Sequence, residues 1–159
     1  KTVGVSIYET KELSIASADL FSAFQLPASI YDQRSLEYVQ SNKSASENVS
    51  FHARSVFLQG LLLTNPDKWP SWINESARSM HRRLWSLSLH TNVSLKKMSI
   101  DFCKKDNNFS SILFGVTSLC ELEELLCASE SQTNFWDSYN YSDWKLPSQP
   151  LLDPRTWPS

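Results

Sequence analysis

One feature constrains the fold of this chain more than any other: a short apolar segment followed by a helical stretch, repeated four times. The apolar segments are Val3-Gly4-Val5-Ser6-Ile7, Ala23-Phe24-Gln25-Leu26, Phe51-His52-Ala53-Arg54-Ser55-Val56 and Ser111-Ile112-Leu113-Phe114-Gly115-Val116. None alternates cleanly between polar and apolar residues, the pattern expected of parallel strands covered on both faces. Strands separated by helices form βα units with right-handed crossovers, an α/β fold. Pro27 ends the second segment, because proline cannot donate to the ladder of a central strand. Four units suit a flat, doubly wound sheet, whereas a parallel barrel needs eight strands. Periodicity alone leaves both open.

The helices are clearer. Ile73, Ala77, Met80, Leu84 and Leu87 are spaced four, three, four and three residues apart, one apolar stripe. Arg78, Arg82 and Arg83 lie off that stripe and are expected to face water. Ser94 is a candidate N-cap for the next helix, with Leu95, Met98 and Phe102 on its buried side. The first helical stretch opens near Thr10, and the last runs through Leu122, Leu125 and Leu126. The polar, Ser/Asn-rich stretch 41–50 reads as an exposed connection. Residues 1–131 form the βα region, and 132–159 a tail rich in Trp, Tyr and Pro without period. Such a tail can order only by packing its aromatics onto a neighbouring surface.

At 159 residues and 41% hydrophobic, the chain can build one domain with a real core. A net charge of -2 argues against a nucleic-acid or anionic-membrane partner. No apolar run approaches the roughly 20 residues needed to span a bilayer. The opening Lys1-Thr2-Val3-Gly4, without Met or a leader, reads as the interior of something longer. Cys103, Cys120 and Cys127 match neither zinc nor redox spacing, so no metal is expected. They read as buried or half-buried thiols in a reducing cytoplasm. The Asn-x-Ser triplets beginning at Asn48, Asn74, Asn92 and Asn108 are read as chance.

Four blocks, in order, resemble the second half of the aldo-keto reductase barrel. Gly4-Val5-Ser6-Ile7-Tyr8 with Glu12-Leu13 is similar to the family's fifth strand and turn. The block Gln25-Leu26-Pro27-Ala28-Ser29-Ile30-Tyr31-Asp32-Gln33-Arg34 resembles the sixth strand and its exit. The stretch from His52-Ala53-Arg54-Ser55 to Gln59-Gly60-Leu61-Leu62 resembles the seventh strand and its phosphate-side loop. Phe114-Gly115-Val116-Thr117-Ser118-Leu119 with Leu122-Glu123-Glu124-Leu125 resembles the eighth strand and following helix. The ending Leu152-Asp153-Pro154-Arg155-Thr156-Trp157-Pro158 is similar to that of one bacterial branch. The resemblance implies strands five to eight of a (β/α)8 TIM barrel.

It also implies a cofactor site for NADP or NAD at the C-terminal strand ends. Ser6 and Gln25 would hydrogen-bond the nicotinamide carboxamide, which needs both donors and acceptors. Arg54 would stand beside the nicotinamide. Ser55, Val56, Phe57, Leu58 and Gln59 would wrap the pyrophosphate, with Gly60 letting the loop close. Gly115, Thr117 and Ser118 precede a helix start suited to phosphate, with Glu121 and Leu125 near the adenosine. Each position also has a plainer reading: a strand-end turn for Ser6, a satisfied wall group for Gln25, a surface ion pair for Arg54, a simple turn for Gly60, helix caps for Thr117 and Ser118. Three residues depart from the family pattern. Glu121 stands where many relatives carry Arg or Gln, Leu125 where they carry Asn, and Ile7 where Asn is frequent.

The family's catalytic Asp, Tyr, Lys and His lie on the first four strands, and nothing here matches them. Tyr8, Tyr31, Tyr38, Tyr139 and Tyr141 are not in the catalytic context. His52 reads as a strand-start residue, and His81 and His90 as surface residues. The expectation is therefore the cofactor-binding half of an NAD(P)-dependent oxidoreductase acting on an aldehyde or sugar-like ketone, inactive as an isolated chain. The alternative is a non-catalytic half-barrel that associates with itself or with a partner chain.

Overall fold

The computed structural model describes residues 3–14, 20–42, 49–130, 134–147 and 150–158. Its sheet has the strand order β1 (Gly4–Ser6), β2 (Ala23–Pro27), β3 (Ser50–Arg54), β4 (Ser111–Ile112), and every neighbouring pair is parallel. The helices are α1 (Arg34–Ser41), α2 (Glu75–Thr91), α3 (Leu95–Lys104) and α4 (Leu119–Glu130). The first helical stretch is a 3-10 turn, Thr10–Ser14.

Register sorts the strand residues by face. Phe24 pairs with Phe51, and Leu26 with Ala53; these four are buried against the helices. One residue along, Ser6, Gln25, His52 and Ser111 form a rung across all four strands. Within it the His52 Nδ1 lies 2.6 Å from the Ser111 Oγ, while Ser6 and Gln25 are exposed. The sheet is thus covered on one face and polar on the other, against the expectation of cover on both. The runs looked continuous because β2 and β3 are too short to display their alternation. The fourth segment, Ser111 to Val116, also overestimates its strand. β4 holds only Ser111–Ile112, and no further strand among the described residues pairs with its outer edge.

At the first edge, β1 comes very close to β2. A Cβ on Gly4 would sit 2.6 Å from the Ala23 carbonyl oxygen, so only glycine fits there.

The α2 stripe is buried at Ala77 and Leu84, while Ile73, also buried, precedes the helix. Asn74 caps the helix, its side chain accepting from the Ala77 amide at 2.8 Å; Asn92, at its end, adopts φ 54°. These triplets are helix-boundary chemistry. Ser94 caps α3 as expected, with Leu95, Met98 and Phe102 buried.

Two α2 residues depart from expectation. Arg78 is not free in water, for its guanidinium donates to the carbonyls of Pro66, Trp69 and Pro70. His81 is fully buried, with Nδ1 2.7 Å from the Tyr31 hydroxyl and Nε2 2.8 Å from the Thr64 carbonyl. The cause is non-local: residues 64–70 fold over α2 and stack Trp69 on the His81 ring at 4.3 Å. His90 is exposed as expected.

Of the cysteines, Cys103 is buried but Cys120 and Cys127 are exposed on α4. The tail orders through its aromatics, as its composition demanded. Trp136 donates to the Met98 carbonyl, and Trp144, Leu146, Leu151 and Leu152 join the same core as the strands. Arg155 reaches back over the Tyr8 ring at 3.8 Å. Of the proposed 41–50 connection, residues 43–48 lie outside the described residues. Among the described residues no helix is long and apolar enough to cross a membrane.

Candidate functional site

A cavity of about 700 Å³ opens where β2, β3 and β4 end. Parallel strands deliver their C-terminal ends to one side, so side chains distant in sequence converge there. Gln25 enters from β2 and Arg54 from β3; residues 55–60 form the floor, residues 113–117 and α4 the far wall.

The loop after β3 has an unusual backbone. Ser55, Leu58, Gln59 and Gly60 have φ values of 56°, 45°, 53° and 88°. For residues with a Cβ, each left-handed position costs on the order of 1 kcal/mol. Local bonds hold the turn: the Leu58 amide donates to the Ser55 carbonyl at 2.9 Å, and the Thr64 hydroxyl to the Gly60 carbonyl at 3.0 Å. Among the described residues, no protein group accepts from the amides of Val56, Phe57 and Gln59. Unclaimed amides in left-handed turns are the elements from which anion-binding concavities are built. Gly60 is required for its φ of +88° rather than for space, as nothing lies within 4 Å of its missing Cβ.

At the β2 and β3 ends, the Arg54 guanidinium is fixed by four contacts. It donates to the Ser6 Oγ (3.0 Å), the Ser55 Oγ (3.1 Å) and the Ile7 carbonyl (2.8 Å), and lies 4.1 Å from the Tyr8 ring centroid. No carboxylate among the described residues pairs with it, so a surface ion pair is not its role. The Gln25 side chain is exposed and hydrogen-bonds no group among the described residues. It brings one free acceptor and two free donors to the cavity.

The far wall is apolar near β4 and charged at the helix. Phe57 and Phe114 stack with centroids 5.4 Å apart, and Leu125 is buried beneath. The Glu121 carboxylate accepts from the Thr117 amide (2.7 Å) and hydroxyl (2.9 Å), which hold its pKa below the usual carboxylate value. Glu124 is lowered likewise by its bond to the Lys96 ammonium.

Most of the residues singled out in the sequence line this one cavity: Gln25, Arg54, Ser55, Val56, Phe57, Gln59, Gly60, Gly115, Thr117, Glu121 and Leu125. Three stand apart from its lining. Ser6 acts through Arg54; the Leu58 side chain is core, 2% exposed; the Ser118 hydroxyl caps α4 by accepting from the Glu121 amide. Sequence reasoning missed Leu63, Lys96, Leu113, Phe114 and Glu124. Glu124 had a signal, lying three residues beyond Glu121 on the same helical face. Lys96 had none, since it comes from α3 across the fold.

Neither a family model nor a curated protein matches the sequence. Solved structures do match the fold. The holo form of aldo-keto reductase AKR11C1 from Bacillus halodurans superposes with a TM-score of 0.63 at 19% identity, over 88% of this chain and 48% of that one. The apo form of the same enzyme gives 0.55 at 20% identity, over 77% and 41%. The chain spans about half the length of that reductase. At this identity the likeness speaks to architecture, and the architecture is that of about half of an aldo-keto reductase (β/α)8 barrel.

Proposed function

We propose that the chain is the cofactor-binding half of an NAD(P)-dependent, cytoplasmic aldo-keto reductase acting on a small aldehyde or sugar-like ketone. One observation carries this reading: a loop of left-handed residues with unclaimed amides floors the cavity at the strand ends. Backbone strain of this kind clusters at ligand sites.

The residues fit a dinucleotide. The cavity, about 700 Å³, falls within the range of sites for molecules of that class. Gln25 answers a carboxamide with matching donors and an acceptor. The Val56, Phe57 and Gln59 amides answer a pyrophosphate, and the apolar Phe114 and Leu125 side an adenine. When bound, the nicotinamide supplies a hydride. Arg54 holds the Ser6 and Ser55 hydroxyls in place, so this part of the site is preorganised.

Among the described residues that line the cavity, no neutral acid stands ready to protonate a carbonyl. Among the described lining residues, Glu121 and Glu124 are held ionised and Lys96 is paired with Glu124. Transfer of hydride without a proton leaves an alkoxide, so turnover awaits a donor from outside this described lining. Titrating the pure chain with NADH while following nicotinamide fluorescence tests the reading. Saturable binding that Gln25→Ala weakens is expected; a flat titration into the millimolar range would refute it.

A second reading, association with another half-barrel, is favoured by a specific surface. Leu119, Leu122 and Leu126 form an exposed apolar stripe on α4, 70%, 40% and 51% accessible, beside the open β4 edge. A solution mass above one chain, reduced by Leu122→Glu with Leu126→Glu, is the expected result.

A further inference from the structure

The α4 wall of the cavity already holds an anion. Ser118 caps α4, its hydroxyl accepting from the Glu121 amide at 3.2 Å. The Glu121 carboxylate in turn takes the Thr117 amide and hydroxyl, at 2.7 and 2.9 Å. Those two donors are what a phosphate at this helix start would use. Three residues on, Glu124 occupies the Lys96 ammonium, the cation nearest this wall among the described lining residues. Two ionised carboxylates and one committed ammonium leave the wall with a net negative charge.

We infer that the cavity rejects a dinucleotide phosphorylated on its adenosine ribose and takes NADH, with Glu121 the residue that decides. The inference rests on the dinucleotide reading above. A ribose phosphate dianion has two ways to bind here. It can displace Glu121, which breaks both Thr117 bonds. Or it can sit beside Glu121 and Glu124, where like charges repel. An unmodified ribose faces neither cost, because its two hydroxyls are donors and the carboxylates beside them are acceptors.

Calorimetric titration of the pure chain with NADH and, separately, NADPH tests this. NADH is expected to bind at least roughly tenfold more tightly, with the ratio shrinking as salt screens the wall. Glu121→Gln keeps an acceptor for Thr117 but removes the charge. It should narrow the ratio several-fold, chiefly by tightening NADPH. Glu124→Gln, which frees Lys96, should act in the same direction and guards against a fault specific to the cap. Equal affinities in the unaltered chain, or a ratio unchanged in both variants, would overturn the assignment and leave the dinucleotide pocket standing. Failure of both cofactors to bind would bring down the pocket and the discrimination together.

Discussion

His81 should make the fold acid-sensitive over a defined window. Its ring is fully buried, and the Thr64 carbonyl can only accept, so the Nε2 bears the proton and the Nδ1 accepts from the Tyr31 hydroxyl. Burial depresses its pKa to about 4, with the Thr64 bond opposing the shift. In the unfolded chain an imidazole titrates near 6.5. Between those values the unfolded state binds the proton and the folded state refuses it. Stability is therefore complete above about pH 6.5 and falls as pH drops toward 4. Integrating the two titrations, His81 alone removes about 2 kcal/mol between pH 7 and pH 5, and about 3 kcal/mol by pH 4. Urea denaturation followed by tryptophan emission reads this directly, since Trp69 stacks on the ring at 4.3 Å. His81→Gln is less stable at neutral pH but lacks the titration. The unaltered chain should lose about 2 kcal/mol more than the variant over pH 7 to 5. Parallel pH dependences in the two proteins would refute the buried neutral imidazole.

Other outcomes follow from the same geometry. Gly60→Ala forces a Cβ into φ +88°; it should cost about 1 kcal/mol in denaturation and weaken NADH binding as the loop shifts. Ser94→Ala removes the α3 cap, whose hydroxyl accepts from the Lys97 amide at 3.1 Å; a loss of about 1 kcal/mol is expected, with cofactor binding unaltered. The pure chain should show no turnover of NADPH or NADH with simple aldehydes in a spectrophotometric assay. Measurable turnover by the unaltered chain would show that a proton donor exists in this half.

The fold was legible where local chemistry decides it. The α3 cap at Ser94 and the α2 stripe follow from residues within two turns of each other. The strand positions followed from short apolar runs bounded by helices. What escaped depends on contacts between distant segments. His81 sits four residues after Ala77 and three before Leu84, which places it on the buried stripe by spacing alone. Its polar character argued the other way, and only the Tyr31 and Thr64 partners make the burial tolerable. Arg78 is drawn in by carbonyls of residues 66–70, whose path no periodicity announces.

The candidate site divides in the same way. Gln25, Ser55, Gly60 and Thr117 were singled out through the family resemblance, and they line one cavity because a parallel sheet turns its strand ends and the loops after them to one side. The left-handed course of Leu58 and Gln59 was hidden, as neither residue type favours it. Lys96 was hidden because α3 reaches the cavity only after the chain has folded. Glu121 was noticed as a charge, but its hold on the Thr117 amide and hydroxyl became clear only from the structure.

The account stands or falls on the loop of residues 55–60. Amide chemical shifts of an isotope-labelled chain, followed by NMR during titration with NADH, probe it directly. The largest saturable changes are expected at Val56, Phe57 and Gln59, with smaller ones at Gln25 and Gly115. Saturable changes clustered elsewhere, with those loop amides unmoved, would contradict a dinucleotide held at these strand ends.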